Sequence, residues 1–167
     1  MRRATITETE RIATPSDPRD LPGPFLHRVA VEVRFADTDA MGHVNNAVYL
    51  TYCEMARIRY WTDVTGEPVA AGHEGAESLI LAEARITYRA PVFHTETVTV
   101  ETRAAHIGRS SFTLEHRLTA CPPGGSSRLV ATSDSVMVRY DYRIDRSAPL
   151  SPEFVEAIES FEGRSLR

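Results

Sequence analysis

Lysine is absent from this sequence, and all 19 of its basic residues are arginine. A chain without lysine cannot form a Schiff base, build a Walker-type phosphate site or use a Ser–Lys dyad. Cysteine is nearly absent too: Cys53 and Cys121 stand far apart, so neither a disulfide framework nor a zinc ribbon is expected. No run of about 18 apolar residues occurs, so no membrane partner is expected.

The charge balance has no excess of positive groups, because 23 acidic residues against 19 arginines give a net charge of −4. Proteins that bind nucleic acid usually carry a basic patch or a basic overall charge, so we expect no nucleic-acid partner. The first residues contain arginine but no apolar stretch, which is unlike a secretory signal. Together with the low cysteine content, this favours a cytoplasmic protein.

The composition divides the chain into three parts. Residues 1–25 are polar, proline-rich and without a hydrophobic period, which predicts a flexible N-terminal arm. Residues 26–146 hold the periodic apolar segments and form the main domain. Residues 147–167 form a C-terminal helical extension, for which Ser151 is the predicted N-cap. At 167 residues the chain is long enough for one domain with its own hydrophobic core.

Several segments alternate apolar and polar residues, as strands do. The first begins at His27, and its apolar face consists of Val29, Val31, Val33 and Phe35. The other four cover approximately residues 80–88, 98–104, 112–120 and 128–143. We expect these four to form an antiparallel meander. The open edges of such a sheet favour dimerisation by sheet extension.

A long helix is predicted between the first strand and the other four. Asn45 or Asn46 is a suitable N-cap, helical residues continue to about Val64, and Gly66 ends the helix. Residues 66–77 are predicted to form a loop. Apolar residues cover most of the circumference of the helix, which predicts that it is buried. The fold class is therefore α+β, with an antiparallel sheet wrapped around a long central helix.

A dense polar cluster precedes this helix and consists of Asp37, Asp39, His43, Asn45 and Asn46. The first amides of a helix have no intrahelical acceptor and lie at the positive end of its dipole. Such amides can stabilise a developing oxyanion. A carboxylate held beside them can act as a general base toward water or as a nucleophile on a carbonyl. The cluster therefore predicts acyl chemistry at the helix start.

The segment from Asp37 to Tyr49, DTDAMGHVNNAVY, resembles the hotdog-fold acyl-CoA thioesterases of the 4-hydroxybenzoyl-CoA thioesterase-like branch. Residues 52–57 continue the motif, residues 108–112 match a second segment, and the likeness extends over about 28–142. The resemblance implies a hotdog fold and hydrolysis of an acyl thioester to a carboxylate and coenzyme A. It implies no metal and no redox cofactor, since coenzyme A belongs to the substrate. It also implies a homodimer or a homotetramer, with sites between subunits.

The resemblance also implies roles for single residues. Asp39 is the catalytic carboxylate, and the backbone amide of Asn46 polarises the thioester carbonyl. Some relatives have an aromatic residue or histidine where this chain has Asn46, so only the amide role carries over. The residues expected to bind substrate are Glu54 in the acyl pocket, Tyr49 and His43 within the motif, and Arg109, Ser110 and Ser111 at the nucleotide end of coenzyme A.

Each assignment has an alternative from the residues themselves. Asp37 and Asp39 could cap a turn, and His43 beside two aspartates could bind a metal. Glu54 could form a structural ion pair with Arg57, three residues along the helix. Arg109 could be an ordinary turn residue. For the whole chain, a non-catalytic domain that binds or senses acyl thioesters uses the same fold, and a hydratase is a third reading that lacks an evident second acid–base partner.

Overall fold

A computed structural model describes residues 21–66 and 77–167 of the chain. Its elements, in chain order, are β1 (His27–Glu32), a 3-10 turn (Phe35–Asp37), α1 (Val48–Thr65), β2 (Glu77–Tyr88), β3 (Thr97–Ile107), β4 (Ser111–Cys121), β5 (Arg128–Asp141), β6 (Arg146–Ser147) and α2 (Pro152–Glu162). Neither described helix is long and apolar enough to cross a membrane. The predicted loop over 66–77 lies mostly outside the described residues, but Glu77 already belongs to β2.

The antiparallel sheet has the order β1-β3-β4-β5-β2, with the short β6 paired to the end of β5. The predicted α+β class, a sheet packed against one long helix, is confirmed. The predicted four-strand meander is wrong for β2, which pairs with β5 along its whole length while β3 pairs with β1. Alternation identifies a strand and its buried face but not its neighbour, and sequential strands lie side by side only about two-thirds of the time.

The main core lies between α1 and the centre of the sheet. It includes Tyr49, Tyr52, Cys53 and Ala56 of α1 and the sheet residues Val98, Val100, Leu118, Ala120 and Ala131. Two predicted boundaries shift. Phe35 leaves β1 and is exposed in the 3-10 turn. The helix starts at Val48, and Ala47 occupies the N-cap position. The side chain of Asn45 accepts a hydrogen bond from the Ala47 amide.

The prediction that α1 is buried on all sides is wrong within one chain. Leu50, Met55 and Ile58 are between 40% and 48% exposed, although they are large and apolar. The reason is that the sheet covers one face of the helix and α2 covers only part of the rest. These three side chains leave an apolar strip of α1 uncovered in one chain.

The C-terminal extension closes an open edge of the sheet. Ser151 caps α2 as predicted, accepting a hydrogen bond from the Phe154 amide. Pairing with β1 stops at Thr102 of β3, so the edge of β3 beyond that point lacks a strand neighbour. Glu162 accepts from the Ala104 amide at 2.7 Å and Arg164 donates to the Ala104 carbonyl at 2.7 Å. These groups take the place of a neighbouring strand.

Most of the predicted N-terminal arm, residues 1–20, lies outside the described part of the chain. Its last residue, Phe25, is buried against the sheet face opposite α1. The guanidinium groups of Arg103 and Arg117 lie 4.4 and 4.6 Å from the centre of its ring. Arg117 in turn pairs with Glu101, which is fully buried. Phe25 thus covers a charged row on the outer face of the sheet.

We expect a chain truncated to begin at Phe25 to melt within a few degrees of the full chain, because the hydrogen bonds that the described residues 21–24 make to Arg103 and Arg117 come from backbone carbonyls. A matched truncation that begins at Leu26 also loses the buried ring. Burial of such a ring stabilises by about 2 kcal/mol, so this chain melts several degrees lower. Thermal unfolding of the two truncated chains measures the difference, and equal melting temperatures would contradict the role given to Phe25.

Candidate active site

Asp37 anchors the loop that leads into α1. Its carboxylate is 1% exposed and accepts hydrogen bonds from the Arg34 guanidinium at 2.7 Å, the Arg34 amide at 2.9 Å and the Tyr52 hydroxyl at 2.8 Å. The hydrogen bonds from Arg34 hold the pKa of this carboxyl below its ordinary value. The Asp37 carbonyl also accepts from the Asn45 amide. Asp37 is therefore enclosed and fixes the shape of the loop.

Asp39 lies in a tight turn that this anchor supports. Its amide donates to the carbonyl of His43, and its carbonyl accepts from the amide of Gly42. Gly42 has φ 82°, a left-handed conformation that glycine adopts without steric cost. One carboxylate oxygen, Oδ1, accepts from the Met41 amide at 2.8 Å. The other, Oδ2, has no hydrogen-bond partner among the described residues, and the side chain is 27% exposed. Asp39 thus presents one uncommitted oxygen.

The start of α1 presents an uncommitted amide a few residues further on. The Asn45 carbonyl and side chain accept from Val48 and Ala47, which satisfies the neighbouring donors. The Asn46 amide donates to no acceptor within the described parts of the chain, whereas its carbonyl accepts from the Tyr88 hydroxyl at 2.8 Å. An amide at the positive end of an 18-residue helix is suited to stabilise an oxyanion.

Two other predicted substrate residues border this turn. His43 is half-buried, with Nδ1 4.0 Å from Oδ1 of Asp39 and its ring edge-on to Phe93. Tyr49 is buried with its ring edge-on to that of Tyr88, and burial raises the pKa of its phenol. The structure thus brings Asp39, His43, Asn46 and Tyr49 to one end of α1.

Tyr88 contacts the candidate site, and the sequence pattern does not predict this. The alternation pattern assigns it only to the apolar face of a strand, yet its hydroxyl holds the carbonyl of Asn46 and its ring packs on Tyr49. Its distance of 42 residues from Asn46 gives no local signal. Knowledge of which strand lies beside the helix start is needed to place it.

Glu54 faces away from the core. Its side chain is 58% exposed, and Arg57 lies 3.7 Å from one of its oxygens, so the predicted ion pair forms. The expectation that Glu54 sits on a buried helix and needs a partner for that reason is not met, because this side of α1 is uncovered in one chain. A place in an acyl pocket requires a second molecule on this face.

Arg109 and Ser110 lie in the turn between β3 and β4, as predicted, and Ser111 is the first residue of β4. The Gly108 amide donates to the Ser111 carbonyl, and the carbonyls of Arg109 and Ser110 accept from Leu150 and Arg139. This turn follows Ile107, at one end of β3. The Asp39 loop follows Glu32 of β1, and Glu32 pairs with Thr97 at the other end of β3. Ten residues of strand span about 33 Å. One chain therefore does not bring Arg109, Ser110 and Ser111 to Asp39.

The surroundings of His43 do not support a metal site. Within residues 21–66 and 77–167, no three His, Cys, Asp or Glu side chains are grouped so that they could hold a metal ion. The His43 ring and the Asp39 carboxylate are the two neighbouring groups of suitable chemistry.

The family model described as the thioesterase-like superfamily matches residues 33–158. Among solved structures, a thioesterase from Thermus thermophilus, complexed with coenzyme A and zinc, is 39% identical. That match covers 85% of this chain and 98% of the other, with a TM-score of 0.72. No curated protein sequence matches the chain.

Two more distant structures share the fold. 4-Hydroxybenzoyl-CoA thioesterase from Pseudomonas sp. strain CBS-3 is 21% identical over 78% of this chain and 96% of its own, with a TM-score of 0.69. DHNA-CoA thioesterase from Staphylococcus aureus is 21% identical over 82% and 91%, with a TM-score of 0.72. The resemblance drawn from the Asp37–Tyr49 motif is thereby confirmed at the level of family and fold.

Proposed function

Because the chain belongs to the thioesterase-like superfamily, we propose that it hydrolyses an acyl-CoA thioester to the free carboxylate and coenzyme A. The structures of similar proteins support this substrate class, since they include thioesterases that act on CoA esters or bind coenzyme A. The observation that carries the proposal is the arrangement of two groups at the start of α1. An uncommitted carboxylate oxygen of Asp39 and the uncommitted amide of Asn46 lie in one loop at the positive end of α1.

In the proposed reaction the thioester carbonyl oxygen accepts a hydrogen bond from the Asn46 amide. The developing negative charge is then stabilised by a fixed donor and by the helix dipole. Asp39 either removes a proton from the attacking water or attacks the carbonyl itself. In the first route water adds to the carbonyl carbon, the C–S bond breaks, and the proton taken by Asp39 passes to the sulfur, which leaves as the coenzyme A thiol. In the second route the C–S bond breaks as an acyl–Asp39 anhydride forms. Water then hydrolyses this anhydride, which frees the carboxylate product and Asp39 and supplies the proton of the thiol. The Tyr88 hydroxyl positions the Asn46 peptide through its carbonyl.

We propose that no metal or redox cofactor takes part, since a carboxylate and a helix-start amide supply the chemistry that the hydrolysis needs. Coenzyme A enters as part of the substrate. The cytoplasmic location expected from the sequence also remains a proposal.

The direct test is release of free thiol from a series of aryl and alkyl acyl-CoAs. Turnover that depends on acyl structure supports a thioesterase. Saturable binding of acyl-CoA without thiol release supports instead the non-catalytic binding domain, which would keep the same loop without the reaction. An Asp39→Asn chain serves as the background control in every assay.

We further propose that the active unit is a homodimer, alone or within a homotetramer. The distance between the Asp39 loop and the Arg109 turn supports this, since a site that uses both must take them from two chains. The exposed Leu50, Met55 and Ile58 and the open edge of β2 form a candidate contact surface. A two-fold contact through this surface would also cover Glu54.

We expect Met55→Asp to dissociate the dimer and to remove most of the activity, because it places a charge in the apolar contact surface. Ile144→Asp, which changes a similarly exposed apolar residue in the turn after β5, is the matched control and leaves mass and turnover unchanged. Light scattering and thiol release on the same samples measure both effects. A fully active monomer of 18.6 kDa would contradict the proposal.

We expect Arg109→Ala to raise KM for acyl-CoA and to leave kcat nearly intact. Arginine is the only strongly cationic side chain that this chain can offer to the phosphates. A contact to a remote part of the substrate is similar in the ground and transition states, so its loss weakens binding alone. The matched substrate is a short thioester that lacks the nucleotide, which should be hydrolysed equally by both chains. Equal losses on both substrates would indicate that Arg109 is an ordinary turn residue and does not contact the nucleotide.

A further inference from the structure

An apolar cavity of about 300 Å³ lies between the C-terminal half of α1, α2 and the sheet. Its apolar wall is formed by Ile58, Phe112, Leu114, Met137, Leu150 and Phe154. Trp61, which also lines it, lies 15 residues after Asn46, which corresponds to about 22 Å along a helix. Within one chain this cavity is therefore separate from the Asp39 loop.

A buried cation faces this apolar space. The Arg57 side chain lines the cavity and is 12% exposed. Its ion-pair partner, Glu54, is 3.7 Å away on the exposed side of α1. Burial lowers the pKa of the Arg57 guanidinium. None of the described residues that line the cavity is acidic. Glu54 lies on the exposed side of the helix and does not line the cavity, so the cavity carries a mostly buried cation and no acid among its described lining residues, which favours an anion.

A second polar group beside the cavity is the indole of Trp61, which also lines it. The indole nitrogen of Trp61 is buried and has no acceptor among the described residues. Buried donors are almost always hydrogen-bonded in native proteins, and each exception calls for a partner. An indole N–H can only donate. The cavity thus combines apolar walls with the guanidinium groups of Arg57 and Arg139 and with an indole donor that lacks an acceptor among the described residues.

We propose that this cavity binds an apolar ligand that ends in a carboxylate, with the carboxylate held by Arg57 and the Trp61 indole. A volume of about 300 Å³ accommodates on the order of ten non-hydrogen atoms. Such a carboxylate can come from two sources. It is either the distal group of an acyl chain that a second subunit's catalytic loop hydrolyses, or a free carboxylic acid. The binding itself does not depend on the proposed thioesterase activity.

The chain has a single tryptophan, Trp61, so its fluorescence reports directly on this cavity. Octanoate and octanamide are matched probes, because they have the same length and differ in charge. We expect octanoate to change the fluorescence of the full chain with saturation below about 1 mM, and to bind at least about tenfold more tightly than octanamide. Calorimetry on the same pair checks the affinities. Equal affinity for both probes, or no saturation with octanoate, would overturn the proposal without any variant.

The variant Arg57→Met tests the guanidinium. It is expected to bind octanoate and octanamide equally while melting no lower than the parent chain, because an apolar side chain replaces a buried charge. Arg59→Met is the matched control. Arg59 lies on the same helix, is 66% exposed and pairs with Asp63, so its loss leaves the preference for octanoate intact. A preference that survives Arg57→Met would contradict the assignment.

Turnover distinguishes the two sources. If the carboxylate is the distal end of the acyl group, the CoA half-thioester of octanedioic acid is hydrolysed in preference to octanoyl-CoA, and Arg57→Met removes that preference. If it belongs to a free acid, the two thioesters are hydrolysed equally and octanoate binds without competing. Both results support the site, and an absence of turnover leaves the fluorescence result unaffected.

Discussion

Asp39→Asn is expected to lower kcat by at least about a hundredfold, the usual effect of removing a positioned base or nucleophile. The structure shows which interaction of Asp39 the substitution keeps and which group it removes. Oδ1 of Asp39 accepts from the Met41 amide, and an asparagine oxygen can keep that bond. The uncommitted Oδ2 becomes an amide nitrogen, which is neither basic nor nucleophilic. The turn is therefore retained and the chemistry is lost.

Thiol release from the best acyl-CoA measures the loss, and thermal unfolding verifies that the Asp39→Asn chain melts within a few degrees of the parent. KM is expected to change little, because the carboxylate acts in the transition state. The assignment is wrong if turnover is unaffected. It is also wrong if the loss is matched by a large fall in melting temperature, since Asp39 would then be a structural turn residue.

The sequence contains enough to predict the fold class and to place the candidate residues Asp39 and Asn46 just before the long helix. Strands reveal themselves by alternation and the helix start by its polar cluster, and both signals are local. The motif then places Asp39 and Asn46 at the same helix start, where the structure has them. What local signals cannot supply is the pairing of distant segments. The position of β2 beside β5 and the hydrogen bond from Tyr88 to Asn46 both depend on it.

The same limit explains the errors at the surface of α1. An apolar residue such as Met55 has the same pattern whether it faces its own sheet or another molecule, so the pattern predicts a helix buried all round. The motif segment at Arg109 is assigned to the site by resemblance, but only the strand register shows that it lies at the far end of β3. The dimer proposed above would bring the two segments together, and no pattern within one chain predicts such a contact.

Asp37→Asn is expected to lower stability, whereas Asp39→Asn lowers turnover. The expected loss in the free energy of unfolding is about 3 kcal/mol, or roughly 10 °C in melting temperature for a chain of this length. One carboxylate oxygen of Asp37 accepts from the Arg34 guanidinium, and the other accepts from the Arg34 amide and the Tyr52 hydroxyl. An asparagine has one oxygen, so in either orientation its NH₂ group faces a donor.

Acidification provides a second measurement of the same interaction. Because Arg34 holds the folded-state pKa of Asp37 below its unfolded value of about 3.9, its contribution to stability is present above that value and is lost as the pH falls through the lower folded-state pKa. The melting difference between the parent and Asp37→Asn is therefore constant from pH 7 to about pH 5 and narrows below about pH 4. Asp39→Asn is the matched control, since it makes the same substitution in the same loop at a partly exposed position. If the two variants melt alike at pH 7, Asp37 does not anchor the loop, and the separation of the two aspartates into a structural and a catalytic residue fails.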